Sequence, residues 1–410
     1  MTAHTDPAHT DPVHTDPVLP VLRTALHEEL PHARQLRRQL HARPQRSGDE
    51  SQTRDLVLAE LPGGQNADLV ADTGAVVRIG AAGAAVAIRA ELDALPVREQ
   101  TGVTWAADNG LMHACGHDVH MAALVAIARA VHRVRPATPL VAVLQPREET
   151  YPAGAKDVVS SGILDAHDVV AMLGAHVQPT LPERSVACTP GAVNAAADEF
   201  VVTMHGAGGH AAYPHLNRDA VLAVAQCVVS LQQLVSRDSD PMTPAVVTVS
   251  SIKAGEAPNI TPSTAVARGV LRSLSMVHRS YMHDRLRAVA TGIAQVHGCS
   301  ATVEITNGEP VLRNDPALTD STSSYLRDLG YQVSDGYRSC GADDFAYFAE
   351  RFASLMLFVG VGDGSGPPLH HPEFLPDDGA VDRVADAMLA GYLAAAGAAD
   401  RSAKTTAERR

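Results

Sequence analysis

Apolar and polar positions along the chain follow a helical period in some segments and a strand-like period in others. The pattern is helical from about Pro20 to Leu61, and a second apolar helix follows at 121–134. The segments 75–80 and 84–96, and later 139–149 and 169–179, are rich in small and β-branched residues and have polar residues near their ends. This alternation predicts an α/β fold with a central sheet flanked by helices. In such sheets the chemistry gathers beyond the carboxyl ends of the strands.

The pattern changes near Gly191. Residues 191–308 contain four strand patterns and two helices, which is typical of a compact α+β domain with a four-stranded antiparallel sheet, and the earlier alternation resumes after Pro310. The repeat AHTDP at 3–17 cannot build a packed core. We therefore expect a first domain of residues 20–190 and 309–400, an inserted domain of residues 191–308, and disordered tails at 1–19 and 401–410.

Composition and charge exclude several classes of protein. Hydrophobic residues make up 45% and charged residues 19%, so a well-packed soluble protein is expected. The net charge of −13 disfavours nucleic-acid binding, and no apolar run is long enough to predict a membrane span. The five cysteines are odd in number and widely spaced, and no secretory signal is visible. Reduced thiols in the cytoplasm are therefore expected.

The segment LMHACGHDVHM, residues 111–121, concentrates three histidines, a cysteine and an aspartate. Cys115 and His117 are two residues apart, so on a helix they would point to nearly opposite sides. In a loop, Gly116 lets the chain bend and direct both side chains to one metal site. The alternative pair is His113 and His117 at helical spacing. It ranks second because Gly116 interrupts that segment and the pattern predicts a helix start near Asp118.

Acidic residues and a histidine follow the strand patterns. Glu148 and Glu149 come directly after an apolar strand, where one carboxylate can bind a metal while the other handles a proton. His176 has a similar place at the end of the next strand. Glu91 and Asp93 lie on one face of a strand end, where they could support a metal centre. These positions would meet at one edge of the sheet.

Three further segments carry candidate groups. His210 follows two glycines, and Asn259 lies between two prolines in a rigid turn. His370 and His371 form a pair near the C-terminal end. The sequence contains neither G-x-S-x-G nor H-E-x-x-H, so a serine-hydrolase elbow and a zincin helix are unsupported.

Taken in order, these segments resemble the di-metal amidohydrolase and aminoacylase family. The similar branch is that of hippurate hydrolase, N-acyl-amino-acid amidohydrolases and indole-acetyl-amino-acid hydrolases. The resemblance runs from about Leu36 to Gly391 and rests on eight motifs, none of which would suffice alone. The motifs are RAELDALP, MHACGHDVHMAAL, QPREE, GAHVQP, HGAGGHAAYPH, NITPSTA, GADDFAYF and LHHPEF.

The resemblance implies a catalytic domain that binds two divalent metal ions per subunit and an inserted lid domain that forms a homodimer. Glu148 resembles the general base, and Asp93 resembles the acid that supports the metal centre. His210 resembles a histidine presented across the dimer to the scissile carbonyl. Asn259 and Arg272 resemble groups that hold the substrate's carboxylate or carbonyl. The implied metal ligands are Cys115, His117, Glu149, His176 and His370.

The activity implied by the resemblance is metal-dependent hydrolysis of N-acyl amino acids in the cytoplasm. A metal-bound water would attack the amide, and Glu148 would take its proton. A thiolate among imidazoles and a carboxylate favours zinc, with manganese, cobalt or nickel as alternatives. The expected partners are a small-molecule N-acyl amino acid and a second copy of the chain, with no nucleic acid and no membrane.

Three alternatives stay open. A small-peptide hydrolase of the same family, similar to a dipeptidase or carboxypeptidase, would use the same residues. A homologue that binds metal or ligand without turnover is a second alternative. A hydrolase with Cys115 as nucleophile is a third, but it leaves the two glutamates and the distant histidines unexplained. The chain departs from the usual motifs at Glu91, where aspartate is common, and at Arg147, a charge beside the expected base. These departures leave the acyl and amino-acid preference open.

Overall fold

The computed structural model describes the backbone of residues 16–408 and the side chains of residues 16–401. Residue contacts divide the chain into two compact units. Residues 337–351 group with the second unit, whereas the sequence pattern assigns all of 309–400 to the catalytic domain. The first unit consists of Met1–Cys188, Asp315–Gly336 and Phe352–Arg410, and the second of Thr189–Asn314 and Tyr337–Arg351.

Helices and strands alternate along most of the described chain. The helices are α1 Val18–His41, α2 Ser51–Glu60, α3 His117–Val134, α4 Gly154–Ser160, α5 Ile163–Ala166, α6 Ala220–Leu231, α7 Met276–Val296, α8 Pro316–Asp328, α9 Ala346–Ala349 and α10 Gly379–Glu408. The strands are β1 Asp68–Val70, β2 Gly74–Ile79, β3 Ala85–Glu91, β4 Leu140–Gln145, β5 Val169–Pro182, β6 Ser185–Ala187, β7 Gly191–Asn194, β8 Ala196–His205, β9 Gly209–His210, β10 Ala245–Ala254, β11 Ile260–Thr261, β12 Thr264–Ser273, β13 Ser300–Asn307, β14 Leu312–Asn314, β15 Gln332–Ser334 and β16 Ala353–Gly362.

The chain ends differ from the predicted tails. Helix α1 begins at Val18, so residues 18 and 19 are helical, and α10 continues through residues 401–408. Residues 1–15 of the predicted N-terminal tail lie outside the described part of the chain. No proline or glycine follows Gly397 to end the alanine-rich helix, which accounts for the difference at the C-terminal end.

The first unit is built on an eight-stranded mixed sheet in the order β1-β2-β4-β3-β5-β16-β6-β15. Its centre, β4-β3-β5-β16, is parallel. Every residue of β3 and β4 is buried, as expected for parallel strands covered on both faces. Helices α3 and α10 pack on the sheet, and α1 packs on α3. The predicted α/β class, with a central sheet flanked by helices, is confirmed.

Strand β5 is longer than its sequence pattern predicts. It continues past His176 to Pro182, so this histidine lies within the strand and not at its end. The reason is that β5 keeps its pairing with β16 as far as Pro182, whereas its pairing with β3 stops at Leu173. Beyond Leu173 the β3 edge of β5 is therefore available to side chains.

The second unit contains a four-stranded antiparallel sheet in the order β10-β12-β8-β13. Burial alternates along β12, so one face of the sheet is packed and the other is not. Helices α6 and α7 contact this sheet, and their buried residues join its apolar core. The predicted four-stranded antiparallel sheet with two helices is confirmed.

One described helical segment, Ala220–Asp238, passes a test for membrane spans based only on length and composition. A third of it is buried, and it includes α6, whose buried side chains belong to the core of the second unit. A core helix passes the same test, so the result is weak support for a span.

Candidate metal centre

A tight turn before α3 brings two of the predicted ligands together. Gly116 has a φ of +82°, and α3 begins at the next residue, His117. The Gly116 N–H donates to the carbonyl of His113 at 3.0 Å, which closes the turn. Cys115 therefore lies in the turn and His117 in the first helical position. Their donor atoms and a carboxylate oxygen of Glu149 all lie within 4.8 Å of one another, as the loop interpretation predicts.

Hydrogen bonds fix the orientation of two histidine rings. The Nδ1–H of His117 donates to the carbonyl of Asp93 at 2.8 Å, and the Nδ1–H of His176 donates to the carbonyl of Val177 at 2.7 Å. In the neutral form of each ring, Nε2 therefore keeps its lone pair. Within the described chain, the buried Nε2 of His117 has no hydrogen-bond partner, and that of His176 lies 3.4 Å from Cys115 Sγ. Both rings are set up to bind a metal through Nε2.

Glu149 and His370 complete the set of predicted metal ligands. We call this set the ligand row; its members are Cys115, His117, Glu149, His176 and His370. The buried Oε1 of Glu149 has no hydrogen-bond partner among residues 16–401 and lies 3.5 Å from His370 Nε2 and 4.0 Å from His117 Nε2. The backbone N–H of His370 donates to the carbonyl of Ala114 at 2.9 Å. This bond anchors the C-terminal loop on the turn at residues 113–117, which we call the ligand turn. The five predicted ligands therefore form one continuous group in the first unit.

Two further carboxylates border this group. Asp93 accepts hydrogen bonds from the Glu149 backbone N–H at 2.9 Å and from the Ser47 hydroxyl at 2.7 Å, and its own carbonyl holds His117. Burial raises the pKa of Asp93, but hydrogen bonds from His117 and its other donors more than offset this and lower it. Glu148 Oε2 lies 3.9 Å from His117 Nε2, with the side chain 13% exposed. Glu148 is therefore next to the donor atoms and still in reach of water.

The charges of the donor group fit a bound cation. Burial lowers the pKa of His117, but the carboxylates of Glu91, Asp93 and Glu149 more than offset this and raise it to about 10. Burial and nearby carboxylates raise the pKa of the Cys115 thiol well above its usual value. A proton on His117 and a proton on Cys115 thus occupy donor atoms that a metal would take. The unpartnered atoms of His117 and Glu149, with a thiol between imidazoles, match the ligands of a transition-metal ion.

The same surroundings disfavour Cys115 as a nucleophile. Nucleophilic cysteines have lowered pKa values because cations or a helix N-terminus stabilise the thiolate. The pKa of Cys115 is raised instead, first by burial and then by Glu149, Glu148 and Glu91.

Arg147 does not direct its charge towards the donor group. Its guanidinium donates to the carbonyls of Pro152 at 3.2 Å and Ala71 at 3.0 Å, and it forms ion pairs with Asp72 and Asp157. The residue has a φ of +51°, which turns the chain just before Glu148. Arg147 thus clamps the loop that carries the two glutamates. Sequence reasoning missed this role because nothing in the QPREE segment marks the left-handed backbone or the distant carbonyls.

Two of the candidate residues in the second unit lie side by side. Ile260 pairs with His210 across β9 and β11, and the Ala211 N–H donates to the Asn259 carbonyl at 3.1 Å. The exposed His210 ring accepts a hydrogen bond at Nδ1 from the Ala212 N–H at 3.1 Å, so its Nε2 carries a hydrogen and can donate.

Arg272 does not share this corner. It is near the end of β12, whose start, Thr264, is close to the β9–β11 pair, so the two places are about 26 Å apart along an extended strand. The roles predicted for His210, Asn259 and Arg272 remain predictions.

The ligand turn should not tolerate a side chain at Gly116. A Cβ there would lie 2.5 Å from Val177 Cγ2, and the φ of +82° adds about 1–2 kcal/mol of strain for an alanine. Gly116→Ala should therefore weaken metal binding, measured by chelator competition, and lower the free energy of unfolding. Gly110→Ala is the matched control, because Gly110 has a φ of +80° and open space around its Cβ. Equal effects of both substitutions on metal affinity would contradict the role of the Val177 contact.

The sequence of the chain is similar to those of known hydrolases. Residues 87–395 match the family described as Peptidase family M20/M25/M40. An N-acetyldiaminopimelate deacetylase of Shouchella clausii is 32% identical over 87% of this chain and 96% of the relative. An N-acetyl-L-cysteine deacetylase of Bacillus subtilis is 35% identical over 84% of each chain.

A solved structure shows a similar architecture. The YXEP protein of Bacillus subtilis, described as a dinuclear metal binding peptidase, is 28% identical. It superposes with a TM-score of 0.78 over 91% of this chain and 99% of its own. The likeness thus extends over both units of the described chain.

Proposed function

The chain belongs to peptidase family M20/M25/M40, and we propose that it is a metal-dependent amidohydrolase that cleaves the amide bond of N-acyl amino acids. The family inferred from the order of the sequence motifs is thereby confirmed. Relatives that cover most of the chain are named as deacetylases of N-acetylated amino acids. The substrate class of this chain is carried over from them.

One observation carries this function. Two buried atoms, His117 Nε2 and Glu149 Oε1, have no hydrogen-bond partner within the described chain. Both residues lie close to the thiol of Cys115. Leaving buried polar atoms unpaired costs about 1–3 kcal/mol each, so a fold keeps such atoms where a ligand completes them. The carboxylate of Glu148 stands at the edge of this group. A cation site with a carboxylate beside it is the constellation that metal-assisted hydrolysis of an amide by water uses.

The residues that would hold the metal are those of the ligand row. His176 lies at one end and His370 at the other, and the donor atoms of Cys115, His117 and Glu149 lie between them. These five residues would hold two divalent ions. Zinc suits the thiolate and imidazole donors, and manganese, cobalt or nickel are the alternatives. Bound divalent ions polarise an amide carbonyl and make water a stronger acid.

The chain's own groups handle the proton. Glu148 accepts the proton of the attacking water at a carboxylate oxygen and returns it to the nitrogen of the leaving amine. Asp93 holds His117 through its carbonyl and the backbone of Glu149 through its carboxylate, so it fixes two ligands at once. Arg147 keeps the Glu148 loop in place through its bonds to the Ala71 carbonyl and to Asp157 of α4. These contacts hold the backbone beside Glu148 while its carboxylate exchanges protons.

We assign substrate binding to His210, Asn259 and Arg272. The Nε2–H of His210 suits donation to the substrate carbonyl, where negative charge develops. Asn259 and Arg272 would hold the carboxylate or carbonyl of the amino-acid part. The assignment of His210 includes action across a homodimer formed through the second unit. The exposed apolar residues Leu222 and Val229 of α6, 55% and 72% exposed, support a partner on this unit.

Mixing two inactive variants tests the shared site. His210→Ala and Glu148→Gln subunits, inactive alone, should regain activity when mixed and allowed to exchange, because one site of the mixed dimer then has both groups. The measurement is the hydrolysis rate before and after exchange, with mixed dimers detected by mass spectrometry of differently labelled subunits. Formation of mixed dimers without any regain of activity would contradict action in trans.

A hydrolysis panel tests the function itself. The panel varies the acyl group (acetyl, benzoyl, indole-acetyl, long-chain) and the amino acid, and it includes dipeptides. We expect turnover of N-acyl amino acids above that of dipeptides. Preferential cleavage of dipeptides would identify a small-peptide hydrolase, and no turnover of any amide would identify a binding protein.

The location we propose is the cytoplasm. All five cysteines, Cys115 to Cys340, lie within the described residues and are free. Free thiols, three of them buried, are typical of a reducing compartment.

A further inference from the structure

A chain of buried hydrogen bonds connects Arg89 to Val177, the residue after the predicted ligand His176. It starts at Arg89, whose Nε donates to Gln145 Oε1 at 2.8 Å and whose Nη1 forms an ion pair with Glu91. It continues from Glu91 to His120, whose Nδ1 lies 2.9 Å from Glu91 Oε2. It ends at Val177, whose backbone N–H donates to His120 Nε2 at 3.0 Å. The side chains of Arg89, Glu91, Gln145 and His120 are all buried.

These bonds occupy both nitrogens of His120. Nε2 accepts from the Val177 N–H and therefore carries no hydrogen. Nδ1 must then carry the hydrogen and donate it to Glu91. Donor atoms of Glu91, His117, His120 and His176 lie within 4.8 Å of one another, a spacing that by itself would allow a metal site. His120 has no lone pair left for a metal, so this group of four is not a ligand set.

Val177 is available to His120 because of the sheet. The β3–β5 pairing stops at Leu173, so the Val177 N–H is bonded by a side chain and not by β3. The carbonyl of the same residue accepts the Nδ1–H of His176 at 2.7 Å. Its side chain faces Gly116 of the ligand turn, where an added Cβ would lie 2.5 Å away. One residue thus contacts His120, a ligand imidazole and the ligand turn.

We propose that Glu91 and His120 are positioning residues that hold the backbone of Val177 and thereby orient the imidazole of His176 for metal binding. The inference rests on the proposed metal centre and adds residues outside its ligand set. Glu91 fixes the tautomer of His120, His120 fixes the Val177 amide, and the Val177 carbonyl fixes the tautomer of His176. Such outer partners of a metal ligand contribute about 10–100-fold in metal affinity.

Two substitutions at His120 separate the two bonds of its ring. The amide of glutamine can reach the place of Nε2, so His120→Gln keeps an acceptor for the Val177 N–H. The shorter amide of asparagine reaches the place of Nδ1 only, so His120→Asn keeps the Glu91 contact and leaves the Val177 amide without its partner. The two variants have the same polarity and differ by one methylene group.

The readout is cobalt binding to the metal-stripped full-length protein, by chelator competition and by the visible absorption of the bound ion. His120→Gln should bind cobalt with nearly wild-type affinity and spectrum. His120→Asn should bind it about 10–100-fold more weakly and with an altered spectrum. Far-ultraviolet circular dichroism of both metal-free variants checks that the fold is retained. Wild-type affinity and spectrum in a folded His120→Asn variant would overturn the proposal.

A second measurement does not depend on the folding of His120→Asn. Nitrogen-15 spectra of the metal-free wild-type protein, labelled at histidine, should show His120 as the neutral Nδ1–H tautomer, with the signal assigned by its loss in His120→Gln. A hydrogen on Nε2 would overturn the proposal. If the wild-type protein itself binds no cobalt, the proposed metal centre fails. If it binds cobalt and His120→Asn binds it equally well, only the positioning role fails.

Discussion

Glu148→Gln should reduce kcat for hydrolysis of N-acyl amino acids by about 10²–10⁴-fold and leave metal affinity within error of the wild-type value. Glutamine has nearly the same shape as glutamate but cannot accept the proton of the attacking water. Glu148 is close to the ligand atoms, with its Oε2 3.9 Å from His117 Nε2, but it is not in the group of Cys115, His117 and Glu149. The measurement pairs steady-state kinetics with a metal titration of the same sample.

Glu60→Gln is the matched control for this substitution. Glu60 is in α2 and contacts His32 at 2.8 Å and Arg129 at 3.5 Å, so the same chemical change is made away from the ligand row. It should leave kcat unchanged. A near wild-type kcat in Glu148→Gln would show that another group is the base. A large loss of metal affinity would show instead that Glu148 is a ligand.

Cys115→Ala should weaken metal binding by more than the roughly 10–100-fold that is typical of losing an outer partner, and activity should fall with it. The thiol lies 3.4 Å from His176 Nε2 and within the group that includes His117 and Glu149, so its loss removes a shared donor. Cys188→Ala is the control, because Cys188 is also free and buried but donates to the Thr319 carbonyl at 3.4 Å. The measurement is chelator competition, followed by activity at saturating metal.

The same variant separates the ligand role from the nucleophile role. If Cys115 were the nucleophile, Cys115→Ala would abolish activity while the metal affinity stayed unchanged. If Cys115 is a ligand, saturating metal should restore part of the activity. An inactive variant with wild-type metal affinity would therefore contradict the assignment.

The sequence was sufficient to predict the ligand turn because its geometry is local. Gly116 lets the chain bend between Cys115 and His117, and the sequence predicts a helix start near Asp118, one residue after the observed start at His117. Glu148 and Glu149 could be placed because an apolar, β-branched run precedes them, and this run forms a strand that ends at Gln145. The sheet class followed in the same way from periods of apolar residues.

Features that depend on distant partners could not be predicted. The tautomer of His117 is set by the Asp93 carbonyl, and the pairing of His120 with Val177 arises only because β3 and β5 separate beyond Leu173. Arg147 turns to other loops through a positive φ that the residue type does not signal. Sequence patterns report the local period, whereas these contacts join segments far apart in the chain.

The most direct test of the central claim is the metal dependence of amide hydrolysis. The full-length protein is stripped with a chelator, its metal content is verified by elemental analysis, and hydrolysis of an N-acetyl amino acid is measured before and after adding zinc, manganese, cobalt or nickel. The ligand row predicts no activity in the stripped protein and recovery with at least one of these ions. Undiminished hydrolysis by protein shown to be free of metal would contradict it.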